Sequence, residues 1–200
     1  MTYNENPAIN FSTIKYLLDS EEVFFNNLCN PPKQTINMRI GTALHGAVLE
    51  NKPIEGFTEK QTTLINNMAN AIKDYWYFTI NISDGISEQE CYWQINGIDC
   101  KGIVDWRYQD KLLIDVKTIR DIGFMEEAIE KYKYKEQLAW YGLYDDFKCD
   151  EYGLLFVDKT INHNAQEVIY TRNELRLYAD KLYQVIDHYK AIKYKIITDF

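Results

Sequence analysis

The stretch 102–117, GIVDWRYQDKLLIDVK, constrains this chain more than any other. Two runs of β-branched and aromatic residues flank Gln109-Asp110-Lys111, which reads as a tight connection between two strands. Side chains alternate across a strand, so Asp115 and Lys117 share one face while Ile114 and Val116 take the other. Asp105 lies on the preceding run, and a hairpin turning near residue 110 brings its carboxylate beside Asp115. Leu112, Leu113, Ile114 and Val116 make the second strand apolar, where an unpaired charge is costly. The bare pattern acid-x-Lys carries no weight, because it occurs four times: Glu50/Lys52, Asp99/Lys101, Asp115/Lys117 and Asp146/Lys148. Such neighbours are ordinarily solvated pairs, and a structural ion pair is the other reading of Asp115 and Lys117. Two hard oxygen donors at one point suit Mg²⁺, which keeps waters for chemistry. A lysine beside them can orient such a water and offset developing charge.

Composition sets the frame. Two hundred residues without a repeat, low-complexity tract or linker fit a single domain spanning 1–200. Neither an N-terminal signal nor a membrane-length apolar run is expected, so the reading is a chain with no membrane partner. Cys29, Cys91, Cys100 and Cys149 are widely spaced and form no CxxC pair, which argues against a zinc ribbon and suits a reducing cytoplasm. A net charge of −8 excludes a generally basic nucleic-acid coat. It leaves nucleic acid open, since carboxylates that load a cation recover positive charge.

The order of elements points to an α/β (α+β) fold, a central mixed β-sheet flanked by helices. N-terminal helices are expected over about 10–77, with Ser12 capping the first and Asp19 with Glu22 boxing the second. A third covers 38–50, where Gly41 and Gly46 suggest close backbone approach and His45 sits beside the apolar stripe. A fourth, 58–76, opens on the capping box Thr58-x-x-Gln61. Strands at 88–95 and 98–107 join through the turn Asn96-Gly97, followed by 111–118. A helix over 124–144, broken near 132–134, closes a catalytic sheet-and-helix region of about 88–160. A strand pair at 151–158 and 165–171 and a final helix over about 172–195 complete the chain. The run Lys131-Tyr-Lys-Tyr-Lys135 alternates charge and ring, a pattern able to hold phosphates and stack on bases, or simply a solvated face.

The succession of GTALHGAVLE, then Glu90 with KGIVD ending at Asp105, then IDVK and then QLAWYGLY resembles the PD-(D/E)XK nuclease superfamily. The likeness is to its RecB-like members, and within them to phage or prophage exodeoxyribonuclease VIII of the RecE type. It spans residues 9 to 160, and four motifs in order carry it together. The resemblance implies a restriction-endonuclease-like core in which His45, Asp105 and Asp115, with the Val116 carbonyl, hold Mg²⁺ or Mn²⁺. It implies that Lys117 positions the attacking water and that Gln137 and Tyr141, four apart on one helix, stand beside the site. Glu90 matches an acid ahead of the first strand and is a further metal candidate. The implied activity is exonucleolytic hydrolysis of phosphodiesters at linear duplex DNA ends in phage-type recombination. A ring-like homo-oligomer and a partner single-strand annealing protein are implied with it. Two alternatives stay open: a structure-specific or guide-associated endonuclease, and a non-catalytic DNA-binding or inhibitory protein on the same fold.

Overall fold

In the computed structural model, which describes residues 2–79 and 82–198, a five-stranded sheet separates two helical layers. Its strands are β1 (Ile86–Ile95), β2 (Ile98–Tyr108), β3 (Leu112–Ile119), β4 (Glu151–Asp158) and β5 (Ala165–Thr171), side by side in that order. All neighbours are antiparallel except β3 and β4, which run parallel. Parallel neighbours need a crossover, supplied here by α5 (Met125–Lys131) and α6 (Tyr134–Tyr144). The mixed sheet and its flanking helices are the α/β architecture expected from the sequence.

The other helices are α1 (Phe11–Ile14), α2 (Glu21–Cys29), α3 (Ile36–Leu49), α4 (Glu59–Thr79) and α7 (Arg172–Thr198). Side-chain alternation on β4 divides the core. Tyr152, Leu154 and Phe156 face a layer containing Phe11, Phe24, Trp140 and Leu182, whereas Leu155 and Val157 face Leu44, Val48, Ile65 and Met68. β4 is therefore buried on both faces, as a strand in a parallel pair must be when helices cover it.

Local signals work unevenly. The box of Thr58 and Gln61 forms, Thr58 N–H donating to Gln61 Oε1 at 3.0 Å and Gln61 N–H to Thr58 Oγ1 at 3.4 Å. The first two caps fall elsewhere: Asn10, not Ser12, accepts from Thr13 N–H, and Ser20, not Asp19, accepts from Val23 N–H. Each cap sits one or two positions from its expected place because both neighbours are capping-competent. Lys133, in the left-handed region at φ 59°, breaks the crossover into α5 and α6 within the expected 132–134. The glycines do not show the close backbone approach expected of them: a Cβ at Gly46 would lie 3.4 Å from Lys52 Cβ and one at Gly41 3.7 Å from Thr118 Oγ1, ordinary contacts with side chains.

One interruption of the sheet positions everything that follows. β2 pairs with β3 at only three rungs, Trp106 with Ile114, Arg107 with Leu113 and Tyr108 with Leu112. Continued one step, that register would set Asp105 opposite Asp115, two like charges across a ladder. The strands part instead. Val116 N–H, left without a ladder partner, donates to Asp105 Oδ2 at 2.6 Å. Farther along, the freed edge of β2 is taken by the N-terminal segment, with Ile9 N–H on Asp99 O at 2.9 Å and Lys101 N–H on Ile9 O at 2.7 Å.

Candidate metal and nucleic-acid site

The place where β2 and β3 separate collects the charged side chains. His45 reaches it from α3. Its Nε2 lies 2.9 Å from the carbonyl of Val116, while its Nδ1 lies 3.6 Å from Asp105 Oδ1 and 3.7 Å from Glu88 Oε1. Val116 thus has both backbone polar groups engaged by side chains of the cluster, its N–H by Asp105 and its carbonyl by His45. His45, Glu88 and Asp105 each offer an atom within 4.8 Å of the others, a grouping able to hold a metal ion.

Glu88 is the residue that motif reading missed. Glu90, the acid expected from the sequence, is exposed and accepts from Tyr92 Oη–H at 2.8 Å, outside that grouping. The register explains why. The two-residue Asn96-Gly97 turn pairs Ile95 with Ile98, and the same count places Glu88 across from Asp105. Glu88 itself drops out of the ladder with φ at 49°, a conformation strained for a side chain of this kind. Turn length plus register arithmetic would have found it in the sequence.

Asp115 occupies the neighbouring position and is paired with the Lys117 ammonium. Burial pushes the Asp115 carboxyl up to about 6, with Lys117 opposing and the nearby Asp105 adding to the rise. Burial works against the Lys117 ammonium, but Asp115 and Asp105 outweigh it and hold the amine above its ordinary range. The Tyr134 ring lies 4.8 Å from Lys117 Nζ. For His45, burial favours the neutral ring, yet Asp105 and Glu88 prevail and raise it to about 9.

Gln137 and Tyr141 of α6 complete the setting. Gln137 Nε2–H donates to Tyr141 Oη at 2.9 Å, and burial together with Asp115 and Asp105 holds the phenol well above its ordinary range. Gly102 on β2 makes room for this tyrosine, since a Cβ there would stand 3.2 Å from its ring. The structure therefore gathers His45, Asp105, Asp115, Val116, Lys117, Gln137 and Tyr141 into one region, adds Glu88, and leaves Glu90 outside it.

The donor set fits a divalent cation. Glu88 Oε1 is buried with no hydrogen-bond donor among the described residues, and Asp105, Asp115 and the Val116 carbonyl offer further hard oxygens around one imidazole. Oxygen-rich sites of this composition take Mg²⁺ or Mn²⁺ in preference to soft ions. Beyond them a cleft of about 870 Å³ opens between α3, the end of β3 and α5. His45, Lys117, Arg120 and Lys159 are among the residues that line it.

The chain has relatives in structure rather than in sequence. It superposes on a candidate exonuclease from Eubacterium rectale with a TM-score of 0.67 at 13% identity, covering 93% of this chain and 85% of that one. An alkaline exonuclease from Laribacter hongkongensis gives 0.50 at 14% identity, covering 96% and 95%. No family model matches the sequence, and no curated protein does. The chain shares its fold with these two exonucleases across nearly its whole length.

Proposed function

We propose that this protein is a metal-dependent deoxyribonuclease of the PD-(D/E)XK kind, working as an exonuclease on linear DNA. The observation that carries the reading is the convergence of His45, Glu88 and Asp105 beside the Asp115–Lys117 pair where β2 and β3 part. The exonucleases that share the fold support it.

Glu88, Asp105, Asp115 and His45, with the Val116 carbonyl, would hold Mg²⁺ or Mn²⁺. When bound, such an ion supplies a water acidic enough to attack at neutral pH and a Lewis acid for the phosphoryl oxygen. The protein's own part is positional and electrostatic. Asp115 fixes the Lys117 ammonium, which is then available to orient the attacking water and face the charge that grows on the phosphate. The Tyr134 ring on the other side limits where that ammonium can go. Gln137 orients the Tyr141 hydroxyl by donating to its oxygen, while burial together with Asp115 and Asp105 keeps this phenol protonated as a donor near the reacting centre. Action at duplex ends, a place in phage-type recombination beside a single-strand annealing protein, a ring-like assembly and a cytoplasmic setting belong to the same proposal. They rest on the RecE-type motif order. Among the described residues, no helix is long and apolar enough to cross a membrane.

Incubation of the protein with end-labelled linear DNA and with a covalently closed circle, in Mg²⁺ or Mn²⁺, is the direct test. Loss of label from the linear substrate alone is expected, abolished by chelation and by Asp105→Ala or Asp115→Ala. Metal-free melts should show both variants less stable than the parent, because Asp115→Ala leaves the buried Lys117 ammonium without its acid and Asp105→Ala leaves the Val116 N–H without an acceptor, so cleavage is read per folded molecule. Cleavage of the circle would move the reading to an endonuclease. Undiminished activity in both variants would remove the site assignment.

A further inference from the structure

The cleft leading away from Lys117 has a lining at odds with the rest of the molecule. The chain has 30 acids against 22 Lys and Arg. Yet the Asp, Glu, Lys and Arg side chains lining the cleft are Lys117, Arg120, Lys131 and Lys159 against Glu127 alone. Of the four aromatic residues in the lining, two are well exposed: Phe124, at 54%, and Tyr132, at 48%. Isolated exposed apolar residues are ordinary, but these two stand in one groove among cations. They are also linked to the site. The Tyr132 ring lies 5.6 Å from Tyr134, whose ring in turn lies beneath Lys117. Lys131 Nζ sits 5.6 Å from the Tyr132 ring, so cation and ring are offered together.

We infer that this cleft holds an unpaired DNA strand, with its phosphates on Arg120, Lys131 and Lys159 and its bases on Phe124 and Tyr132. The inference rests on the nuclease reading for its choice of DNA and goes beyond it in naming the strand path. Three observations select this occupant. The charge asymmetry calls for a polyanion. The exposed rings call for flat apolar faces carried beside those charges, and in a duplex those faces are stacked away inside. The cleft volume of about 870 Å³ falls in the range of pockets that enclose small ligands, a size that a few nucleotides of a single strand fill.

The test is fluorescence anisotropy on the full chain in Ca²⁺, with three probes of equal length: labelled oligo-dT, an abasic oligomer and a blunt duplex. Oligo-dT should bind more tightly than the abasic oligomer, which has the same phosphates and no bases. The double variant Phe124→Ala/Tyr132→Ala should lose about tenfold or more for oligo-dT, with little change for the abasic probe. Phe124→Trp/Tyr132→Trp should restore binding. Because both side chains are half exposed, the variants should melt as the parent does. Arg120→Ala/Lys159→Ala should weaken both single-stranded probes and flatten the salt dependence. Equal binding of oligo-dT and the abasic oligomer by the parent, or unchanged oligo-dT binding by the double alanine variant, would overturn the strand path. The end-label assay is read separately: ring-dependent binding without cleavage would keep the path and discard the nuclease.

Discussion

Asp99-Cys100-Lys101 and Asp115-Val116-Lys117 are the same pattern on two strands, and the molecule uses them for opposite ends. In the first, Asp99 is exposed and accepts from Gln94 Nε2–H at 2.8 Å. Lys101, only 6% exposed, turns to the N-terminal segment, donating to Tyr3 O at 2.6 Å and Asn6 O at 2.7 Å with the Tyr3 ring 4.5 Å away. Its ammonium fastens a strap to the edge of β2. In the second, the acid is buried and the lysine answers to it. The difference teaches that the acid decides. A solvated acid leaves its lysine neighbour free to serve the backbone, whereas a buried one recruits it and leaves a charged pair beside the parting of the sheet.

The largest separation between the two lysines should appear in rate. Lys117→Ala is expected to lower single-turnover cleavage on the order of 10²-fold or more, as removal of one transition-state donor does elsewhere. Mn²⁺ titration should show metal binding retained, since the carboxylates remain. A variant cutting at near-parental rate would make Lys117 a structural partner, and the two regions would no longer differ in kind.

Lys101→Met should show the mirror image. Losing an ammonium that satisfies two carbonyls is expected to destabilise the fold by about 2–3 kcal/mol in denaturant melts, with cleavage per folded molecule unchanged. Asp99→Asn, at the exposed end of the same pattern, should change neither measurement. A loss of rate in Lys101→Met larger than its loss of folded protein would draw the strap into the chemistry.

The smallest effect concerns pH. The partners of Lys101 are peptide carbonyls, which do not titrate, whereas the second region includes His45, raised to about 9 by Asp105 and Glu88 against the pull of burial. A group whose folded value is raised contributes stability that is full below its unfolded value and lost as pH climbs through the folded one. Melts in chelator should therefore show stability falling between about pH 6.5 and pH 9, by roughly 2 kcal/mol given the partial exposure of the ring. His45→Asn should flatten that slope. An identical slope in the variant would mean that other groups carry it.

Much of this arrangement was legible in the chain. The alternation over 111–118 placed Asp115 with Lys117, and the turn at 109–111 brought Asp105 to the same place. What stayed hidden was relational. Glu88 and Glu90 are equivalent in local composition, and only the pairing register tells which one faces Asp105. The Lys131–Lys135 alternation dissolves for a similar reason. Left-handed Lys133 and the helix turns disperse it, so Lys131 lines the cleft, Lys133 pairs with Asp19 at 2.7 Å and Lys135 pairs with Glu130. The unequal fates of Lys101 and Lys117 depend on a strap that arrives from about a hundred residues away in sequence, out of reach of any local pattern.

The rung that β2 and β3 fail to make sets a trade-off for anyone who would engineer this protein. Zipping the sheet one step further, with β-branched residues at 105 and 115 and an apolar residue at 117 so that no ammonium is left buried without its acid, would add cross-strand pairs and remove two like charges. A selection for thermal tolerance alone would favour such a combination, and it would delete both acids of the proposed centre. Here robustness and reactivity draw on the same two positions, so libraries meant to harden this fold should hold Asp105 and Asp115 fixed and search the two cores instead.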